Sequence, residues 1–404
     1  MKFTPSVGEE NKRFIREGVR YVCDTFSCRA SGSAGERDAA DYMAGVLKGI
    51  SDEVTVNEVS FRPGAYTGSL TLSALLMVFS SVLFYFCAAV EGTSFLLTCA
   101  VFSFLSIAIF VYGFVFSKKF ADFLFPRGRG KNVCAVRRSL GAPQKRVILC
   151  ANLDSPPEWR FSLALGGKPV NVFFVLYSVC LAVVFVIILC YLVAGAPRYS
   201  DKWAEIKALQ LLSNLAFVPA VFFFGKRKGI GGAAHNVSGI FAAAGVFREL
   251  SDSSFHYNDT ELVCLLTCGK NAGQRGAQAY VDANRKALKK VKTSVIVFES
   301  LCNAAEMTLS AADECGLVRY SPALEEKAVY AMSAAGVSPA KRTFKAGSTD
   351  ALPFLHAGID AVTIRAAAKR SPLFFPNRFD SARAINADCI EKTVQTAIEL
   401  INTI

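Results

Sequence analysis

Long uncharged apolar runs interrupt an otherwise mixed sequence, and they are the most distinctive feature of its hydrophobic pattern. Ser69–Val90 and Phe95–Phe116 contain no Lys, Arg, Asp or Glu. Asn171–Val193 is a third such run, and Ala208–Phe224 is a weaker fourth that includes Pro219. About 20 apolar residues, the length of these runs, cross the hydrocarbon of a bilayer as a helix. The pattern therefore predicts four transmembrane helices rather than buried helices of a soluble protein, which are rarely uncharged over this length.

Short connections join these helices in pairs, so the sequence predicts two transmembrane hairpins, residues 69–116 and 171–224. The other pieces, residues 1–67, 125–168 and 229–404, together have the size of one domain. Each hairpin returns the chain to the side that it left. We therefore expect the three pieces to fold together, on one side of the membrane, as a single domain interrupted twice.

Basic residues near the ends of the spans indicate which side that is. Those that flank the polar pieces are Lys118, Lys119, Arg127, Arg129, Lys131, Lys168, Lys226, Arg227 and Lys228. The first hairpin tip has no basic residue, whereas Arg198, Lys202 and Lys207 in the second tip weaken the bias without reversing it. The sequence therefore predicts a multi-pass membrane protein whose polar domain faces the cytoplasm.

Charge and cysteine content narrow the functional classes. The net charge of the 404-residue chain is +12, but much of the excess lies beside the spans, where it would face anionic lipid headgroups, so nucleic-acid binding is not expected. The 13 cysteines form no CxxC pair, which is typical of reduced thiols in a cytoplasmic setting. Transport is not favoured, because the spans carry no charged residue that would mark an ion path.

Outside the spans, strand-like and helix-like segments alternate. Predicted strands are Val54–Phe61, Asn132–Arg137, Arg146–Ala151, Leu262–Thr267, Ser294–Phe298 and Ala361–Ile364. Predicted helices are Ser33–Gly49, Val237–Leu250, Gly276–Lys289, Ser321–Ala335 and Ala387–Ile401. This alternation predicts an α/β fold with a mostly parallel central sheet flanked by helices. Ligands of such sheets bind beyond the carboxyl ends of the strands, where Asn152 and Asp154 follow the third predicted strand.

Short motifs follow one another at these strand ends in a fixed order. They are Arg29–Ser33 with Ala39–Tyr42, Ala151–Ser155, Gly232–Gly239, Gly269–Gly276, Glu299, Ser348–Phe354 and Phe375–Asp380. Their order and spacing resemble those of the di-zinc aminopeptidase family, whose exopeptidases share a fold with glutaminyl cyclase, glutamate carboxypeptidase and the transferrin receptor ectodomain. The resemblance covers nearly all of the chain outside the spans. It implies a zinc aminopeptidase-like fold interrupted by the four transmembrane helices.

That family holds two zinc ions with two His and three carboxylates, and a Glu is its general base. The resemblance implies that most of these positions differ here. They are Asn152 in place of the first His, His235 for the metal-bridging Asp, Lys270 for the general base, Asn271 for the next Glu ligand and Pro376 for the second His. A cation thus stands where a proton acceptor is required, and a proline stands where a side chain must coordinate.

Other family positions keep their character. Glu299 stands at an acidic ligand of the family and Asp154 at the carboxylate that supports the first metal, while Asp350 lies in the substrate-side Ser-Asp segment and Asn236 follows His235 in its motif. Zinc needs several ligands in fixed geometry. The sequence therefore predicts a vestigial cleft without catalytic residues, metal ligands or a cofactor. The leading hypothesis is a membrane-anchored pseudopeptidase, a non-catalytic binding or scaffolding module whose partners are the lipid bilayer and a peptide or membrane-protein tail at the cleft.

One alternative is a membrane-bound metallopeptidase, an aminopeptidase-type hydrolase with a rebuilt zinc site. Its candidate groups are His235 and Glu299 as ligands, with Asp154, Asp350, His256 and His356 as further members. The ordinary interpretation of His256 is a loop histidine, and that of His356 is a partly buried residue of an apolar stretch. Lys270 also has two interpretations: a solvated loop lysine, or an ammonium in the vacated metal position that pairs with Glu299 or Asp154.

Overall fold

The computed structural model describes residues 3, 7–87, 93–194, 201–224, 230–310, 312–342, 347–366 and 376–404. The chain divides into two compact units: Met1–Pro63, Pro126–Glu158 and Lys226–Ile404 form the first, and Gly64–Phe125 and Trp159–Gly225 form the second. Some residues named in the sequence predictions lie outside the described residues. These are residues 88–92, Arg198, Lys226, Arg227, Lys228, Gly229 and Phe375.

The first unit is built on one eight-stranded sheet. Its strands are β1 (Glu53–Phe61), β2 (Gly128–Arg137), β3 (Lys145–Asn152), β4 (Thr260–Thr267), β5 (Lys292–Leu301), β6 (Thr308–Ser310), β9 (Ala340–Arg342) and β10 (Asp360–Ala366), and a separate pair consists of β7 (Ala312–Asp313) and β8 (Val318–Arg319). The order of the eight strands across the sheet is β1-β2-β4-β3-β5-β10-β6-β9. The central strands β4, β3, β5 and β10 are parallel, whereas β1 on β2, β2 on β4 and β6 on β10 are antiparallel. The predicted α/β fold with a mostly parallel sheet is confirmed.

Helices of the first unit flank this sheet. They are α1 (Glu9–Thr25), α2 (Ala34–Lys48), α9 (Ser238–Asp252), α10 (Arg275–Lys290), α11 (Pro322–Ala334), α12 (Leu352–His356) and α13 (Ala387–Thr403). Five of them, α2, α9, α10, α11 and α13, follow the predicted bounds closely. The helices of the second unit are α3 (Ala65–Cys87), α4 (Thr93–Ala108), α5 (Arg160–Leu165), α6 (Gly167–Ala194), α7 (Asp201–Leu212) and α8 (Val218–Phe222). A side-chain oxygen caps the amino end of α2, where Ser33 Oγ accepts from the Glu36 amide at 3.2 Å.

Helix α1 was not predicted, although its pattern is amphipathic. Ile15, Val19 and Val22 are spaced by one helical turn and lie buried in the main core. Gly18 is the reason that the helix can come so close to α9. A Cβ atom at this position would lie 2.1 Å from a ring carbon of Phe241, so only glycine lets the ring pack against the α1 backbone.

The parallel centre of the sheet brings three strand ends to one edge. Asn152 at the end of β3 pairs in register with Thr267 at the end of β4, and Cys150 pairs with Val297 on the other side in β5. Strand β4 lies between β2 and β3, so the two strands around the Gly141 turn are not paired with each other. The residues after β3, after β4 and near the end of β5 therefore share the position at which ligands of α/β sheets bind.

The second unit contains four stretches that are long and apolar enough to cross a membrane, judged by length and composition. They are Ala65–Phe86, Ser94–Val115, Pro169–Val193 and Glu205–Phe222. The second stretch ends in a π-helical turn, Ile109–Val115. The fourth was predicted as one helix, but a 3₁₀ turn, Ser213–Ala216, separates α7 from α8. Pro219 explains this break, since it has no N–H to donate to an uninterrupted helix.

Polar and apolar side chains of this unit are distributed in the reverse of the usual way. Ser73 and Ser106 are fully buried and lie 3.1 Å apart at their hydroxyl oxygens, and the buried Tyr177 hydroxyl lies 3.0 Å from Ser73 Oγ. Phe86 and Val175, by contrast, are 67% and 66% exposed. Hydrogen-bonded hydroxyls inside and bare apolar side chains outside are typical of helices that pack together in lipid.

Candidate functional site

The carboxylate of Asp154, just beyond β3, is the centre of the site and is completely buried. Its Oδ1 accepts from the Lys270 amide at 3.0 Å and from Asn152 Nδ2 at 3.2 Å. Its Oδ2 accepts from Ser31 Oγ at 2.6 Å, and from the Asn271 amide and Nδ2 at 2.8 and 3.0 Å. Five neutral donors of this chain therefore surround one buried negative charge, which is the arrangement that stabilises an ionised carboxylate without a metal.

The turn after β4 supplies most of these donors. Lys270–Ala272 is a single 3₁₀ turn between Gly269 and Gly273, which have φ values of +61° and +95°. These left-handed conformations favour glycine and direct the consecutive amides of Lys270 and Asn271 toward Asp154, forming an anion-binding concavity. Two backbone N–H groups are thus fixed on the carboxylate before any side chain contributes.

Lys270 forms an ion pair with Glu299 near the end of β5. The ammonium contacts Glu299 Oε1, and Arg365 Nε in β10 lies 3.7 Å from Glu299 Oε2. The side chains of Lys270 and Glu299 are only 17% and 6% exposed. Of the two interpretations of Lys270, the structure therefore has the paired ammonium and not the solvated loop lysine.

Charge compensation at Glu299 is strong enough to overcome its burial. Burial by itself would raise the pKa of Glu299, but the charges of Lys270 and then Arg365, together with the Lys270 hydrogen bond, lower this pKa to about 2. Glu299 is therefore a carboxylate at neutral pH, and two cations of the chain itself balance it.

His235 lies in the π-helical turn that precedes α9 and is paired with a residue that the sequence analysis did not single out. Its Nδ1 lies 2.7 Å from Oδ2 of Asp380, whose oxygens also accept from the backbone amides of Ala234 at 2.6 Å and His235 at 3.2 Å. Asp380 is almost completely buried. Among the described residues, His235 Nε2 and Glu299 Oε2 are buried atoms without a hydrogen-bond partner.

Asp350 is a third buried carboxyl group of the site. Its Oδ2 accepts from Thr267 Oγ1 at 2.5 Å, and its Oδ1 has no partner among the described residues. Burial raises the pKa of Asp350 to about 7, although the Thr267 hydrogen bond and the Lys270 charge act in the opposite direction. At neutral pH, Asp350 is thus present in both its charged and its neutral form.

Asn236 has a structural position behind the carboxylates. Its amide donates to the carbonyl oxygens of Asn152 and Leu153 at 3.3 and 2.9 Å, and its Oδ1 accepts from Arg29 Nη2 at 3.2 Å. The guanidinium of Arg29 is fully buried and also donates to the carbonyl oxygens of Leu153 at 3.2 Å and Gly231 at 2.6 Å. Arg29 and Asn236 therefore tie the segment after β3 to the segment before α9.

The structure does not bring every predicted residue into this group. Pro376 contributes no side-chain donor or acceptor. The Nδ1 of His256 lies 3.0 Å from the Arg138 carbonyl oxygen, beside the start of β4 and therefore at the opposite edge of the sheet. The Nε2 of His356 lies 3.3 Å from Glu314 Oε2 at a partly exposed position. The predicted residues that converge are Asn152, Asp154, His235, Asn236, Lys270, Asn271, Glu299 and Asp350.

Sequence reasoning missed several residues that build the site. Ser31 and Asp380 lie inside quoted motifs, so their positions were visible while their partners were not. Glu36 bonds the Gly269 amide at 2.7 Å and the Gly32 amide at 2.6 Å, and burial, followed by the Asp154 charge, raises its pKa well above the ordinary value. Arg365 gave no signal, because it lies one residue beyond the predicted strand Ala361–Ile364.

The side-chain atoms at the strand ends that could be metal ligands do not fit a di-zinc centre. Both oxygens of Asp154 already accept from N–H and O–H groups, Glu299 Oε1 is taken by an ammonium, and His235 Nδ1 is taken by Asp380. The described residues contain no group of three or more His, Cys, Asp or Glu side chains placed to hold a metal ion. Structural zinc needs four ligands and catalytic zinc at least three from the protein.

Known structures share this fold. A leucine aminopeptidase precursor from Bacteroides thetaiotaomicron has a TM-score of 0.58 and 12% identity, with 100% of each chain covered. The glutaminyl cyclase of Fimbriiglobus ruber has a TM-score of 0.55 and 12% identity, covering 100% of this chain and 96% of that chain. A zinc aminopeptidase from Bacillus subtilis has a TM-score of 0.55 and 12% identity, covering 96% and 94%. The first unit therefore has the fold of zinc aminopeptidases and glutaminyl cyclases.

The sequence comparison agrees with this fold. Residues 218–401 match the profile of peptidase family M28. The resemblance to zinc aminopeptidases is thereby confirmed: residues 218–401 are similar to peptidase family M28, and the fold is that of zinc aminopeptidases. No curated protein sequence matches the chain.

Replacing Asp154 by Asn tests whether the caged carboxylate supports the fold. The change removes the buried charge and replaces one carboxylate oxygen by an NH₂ group. The surrounding groups are all donors, so this NH₂ group has no acceptor, and we expect a loss of about 3 kcal/mol in the free energy of unfolding. Urea unfolding of the detergent-solubilised chain, followed by circular dichroism, measures this loss. Asp41→Asn is the matched control, since Asp41 is 53% exposed and bonds Lys131 at 2.6 Å; its expected loss is below about 1 kcal/mol. Equal losses in the two variants would contradict the structural role of Asp154.

The pKa of Glu299 predicts a specific pH dependence of stability. Because its folded-state pKa of about 2 lies below the ordinary 4.5, the unfolded chain binds the proton first, and the stabilisation is complete above about pH 4.5 and lost as the pH falls toward 2. We expect the stability difference between wild type and Glu299→Gln to be largest at pH 7 and to shrink by up to about 3 kcal/mol on acidification. Other carboxylates titrate in both proteins and cancel in this difference. A difference that stays constant between pH 7 and pH 3 would show that Glu299 has an ordinary pKa.

Proposed function

We propose that this chain is a membrane-anchored pseudopeptidase, an M28-type domain that acts as a non-catalytic binding or scaffolding module. The observation that carries the proposal is the state of the strand-end carboxylates. Asp154 is satisfied by Ser31, Asn152, Asn271 and the Lys270 amide, and Glu299 is paired with the Lys270 ammonium. A hydrolytic centre of this family needs these positions for metal ions and a general base, and here they are occupied by groups of the chain.

Lys270 bears most directly on catalysis. A general base has to accept a proton from water, and an ammonium has none of the required lone pairs. Asn152 and Asn271, two neutral amides, direct N–H groups toward Asp154. These side chains stabilise the carboxylate but offer a zinc ion neither charge nor a good ligand. The chemistry of the retained framework is therefore recognition rather than hydrolysis.

Metal content and activity, measured together on the purified full-length chain in detergent, test this proposal. We expect zinc well below one ion per chain after purification in zinc-containing buffer, and no release of N-terminal amino acids or cyclisation of N-terminal glutamine. A chelator is expected to leave the unfolding temperature unchanged. Stoichiometric zinc together with peptidase activity that the chelator abolishes would defeat the proposal.

A rebuilt metallopeptidase site is the second candidate, and one observation favours it. His235 Nε2, Glu299 Oε2 and Asp350 Oδ1 are buried atoms without a hydrogen-bond partner among the described residues, although they do not form a group of three placed to hold a metal ion. One N and two O atoms are ligand types that zinc accepts. Zinc-dependent activity that is lost in both His235→Ala and Glu299→Ala would support this candidate over the first.

We propose further that the second unit anchors the chain in a lipid bilayer and that the M28-type domain faces the cytoplasm. Support comes from its four apolar stretches, its buried serine hydroxyls and its exposed Phe and Val side chains. Lys118, Lys119, Arg127 and Arg129 flank the spans and favour the cytoplasmic side. The partner that fits such a module is a peptide or the tail of another membrane protein.

Alkaline extraction and thiol labelling test the anchoring and the orientation. We expect the chain to stay in the membrane pellet at high pH and to be released by detergent. A membrane-impermeant maleimide is expected to label the exposed Cys28 only after permeabilisation, with Cys28→Ser as the blank. Ser94→Cys in the Cys28→Ser background places a thiol at the first hairpin tip and should be labelled in intact cells. Extraction at high pH would contradict anchoring, and the reverse labelling pattern would contradict the orientation.

A further inference from the structure

Lys270 contacts two different carboxylates of the site, one through its backbone N–H and one through its ammonium. Its backbone N–H donates to Asp154 Oδ1 at 3.0 Å, and its ammonium contacts Glu299 Oε1. Its charge also acts on Asp350, whose pKa would otherwise be raised further by burial. Asp154, Glu299 and Asp350 are all at most 4% exposed. Carboxylates this close together and this deeply buried repel one another and need a cation nearby.

Counting charges shows that this cation is already part of the chain. Asp154 and Glu299 carry two negative charges and Asp350 is only partly ionised at neutral pH, while Lys270 and Arg365 supply two positive charges at the same strand ends. Two glycines with positive φ fix the backbone at Lys270, and the ion pair with Glu299 holds its ammonium. An added divalent ion would make this group of residues strongly positive and would have to displace the ammonium from Glu299.

We infer that the Lys270 ammonium is a covalently attached replacement for the metal charge, and that removing its side chain turns the site into a receptor for a small primary ammonium ion. This inference rests on the proposed absence of metal from the wild-type site. Lys270→Ala removes the atoms from Cγ to Nζ, which correspond to propylammonium. It leaves the carboxylate of Glu299 buried, with an open volume of that shape beside it.

Thermal unfolding of the full-length protein in detergent tests the inference. We expect Lys270→Ala to lower the unfolding temperature by about 10 °C, and propylammonium chloride to restore much of this loss with saturation at millimolar concentrations. Propanol, which has a similar shape without the charge, and sodium chloride at equal ionic strength should restore little. Wild type and Lys270→Met, whose site remains filled, should not respond to propylammonium.

Lys341→Ala is the matched control at an exposed ion pair. Lys341 Nζ lies 2.9 Å from Glu325, and its side chain is 47% exposed, so the variant should lose little stability and gain none from the ligand. A Lys270→Ala protein with the wild-type unfolding temperature, or one that propanol rescues as well as propylammonium does, would overturn the inference.

If Lys270→Ala does not fold, a double variant decides the matter. Lys270→Met with Glu299→Gln removes both charges, so it should fold if the ammonium serves to balance Glu299. Failure of this variant to fold as well would overturn the inference. The proposed function fails on a different result, namely stoichiometric zinc in the wild type, whereas a zinc-free wild type with an unrescued Lys270→Ala refutes the ammonium's role alone.

Discussion

A carboxylate that cannot reach water must be satisfied by the chain around it, and Asp154 is the residue at which this requirement is strictest. Its five hydrogen bonds come from the segment before α2, from the end of β3 and from the turn after β4. Three pieces of chain that are far apart in sequence therefore have to meet at one point. The left-handed glycines of that turn and the buried Arg29, which binds the carbonyl oxygens after β3, are consequences of the same requirement.

The buried negative charge of Asp154 also determines which charges can lie around it. With one negative charge fixed and buried, a second carboxylate at the end of β5 would be unstable without a cation, and Lys270 and Arg365 supply two. Among the described residues, Asp350 accepts a hydrogen bond only from the Thr267 hydroxyl. This offsets its burial less well, and burial raises its pKa to about 7. The three carboxyl groups of the site are thus stabilised to different degrees. Asp154 accepts five hydrogen bonds, Glu299 is paired with two cations, and Asp350 is only partly ionised at neutral pH.

Local pattern predicted most of the first unit, because its elements are long. The strands around β3, β4 and β5 and the helices α2, α9, α10 and α13 were placed from periodicity alone, to within a few residues. Strands β6 and β9 have three residues each, too few to show a period of two. Helix α1 was not predicted, although Ile15, Val19 and Val22 have helical spacing and are buried.

The candidate site was predictable in its members but not in its pairings. Family motifs pointed to Asp154, Lys270 and Glu299, since motif positions can be carried over one by one. The contact of His235 with Asp380 joins residues 145 positions apart in sequence, and no local signal encodes such a contact. The same holds for Lys270. The sequence left two carboxylates, Glu299 and Asp154, as partners of its ammonium, and the structure shows the pair with Glu299.

The two units distribute their polar and apolar side chains in opposite ways. In the first, apolar side chains fill the core, and the buried carboxylates Asp154, Glu299 and Asp350 lie near the ends of the strands. In the second, the hydroxyls of Ser73, Ser106 and Tyr177 turn inward and bond to one another, while apolar side chains face outward. A serine in such a helix satisfies its hydroxyl without water, which is why an apolar run containing serines can still be a span. Hydropathy along the sequence identifies both patterns, but the structure is needed to show that the small polar residues of the second unit point inward.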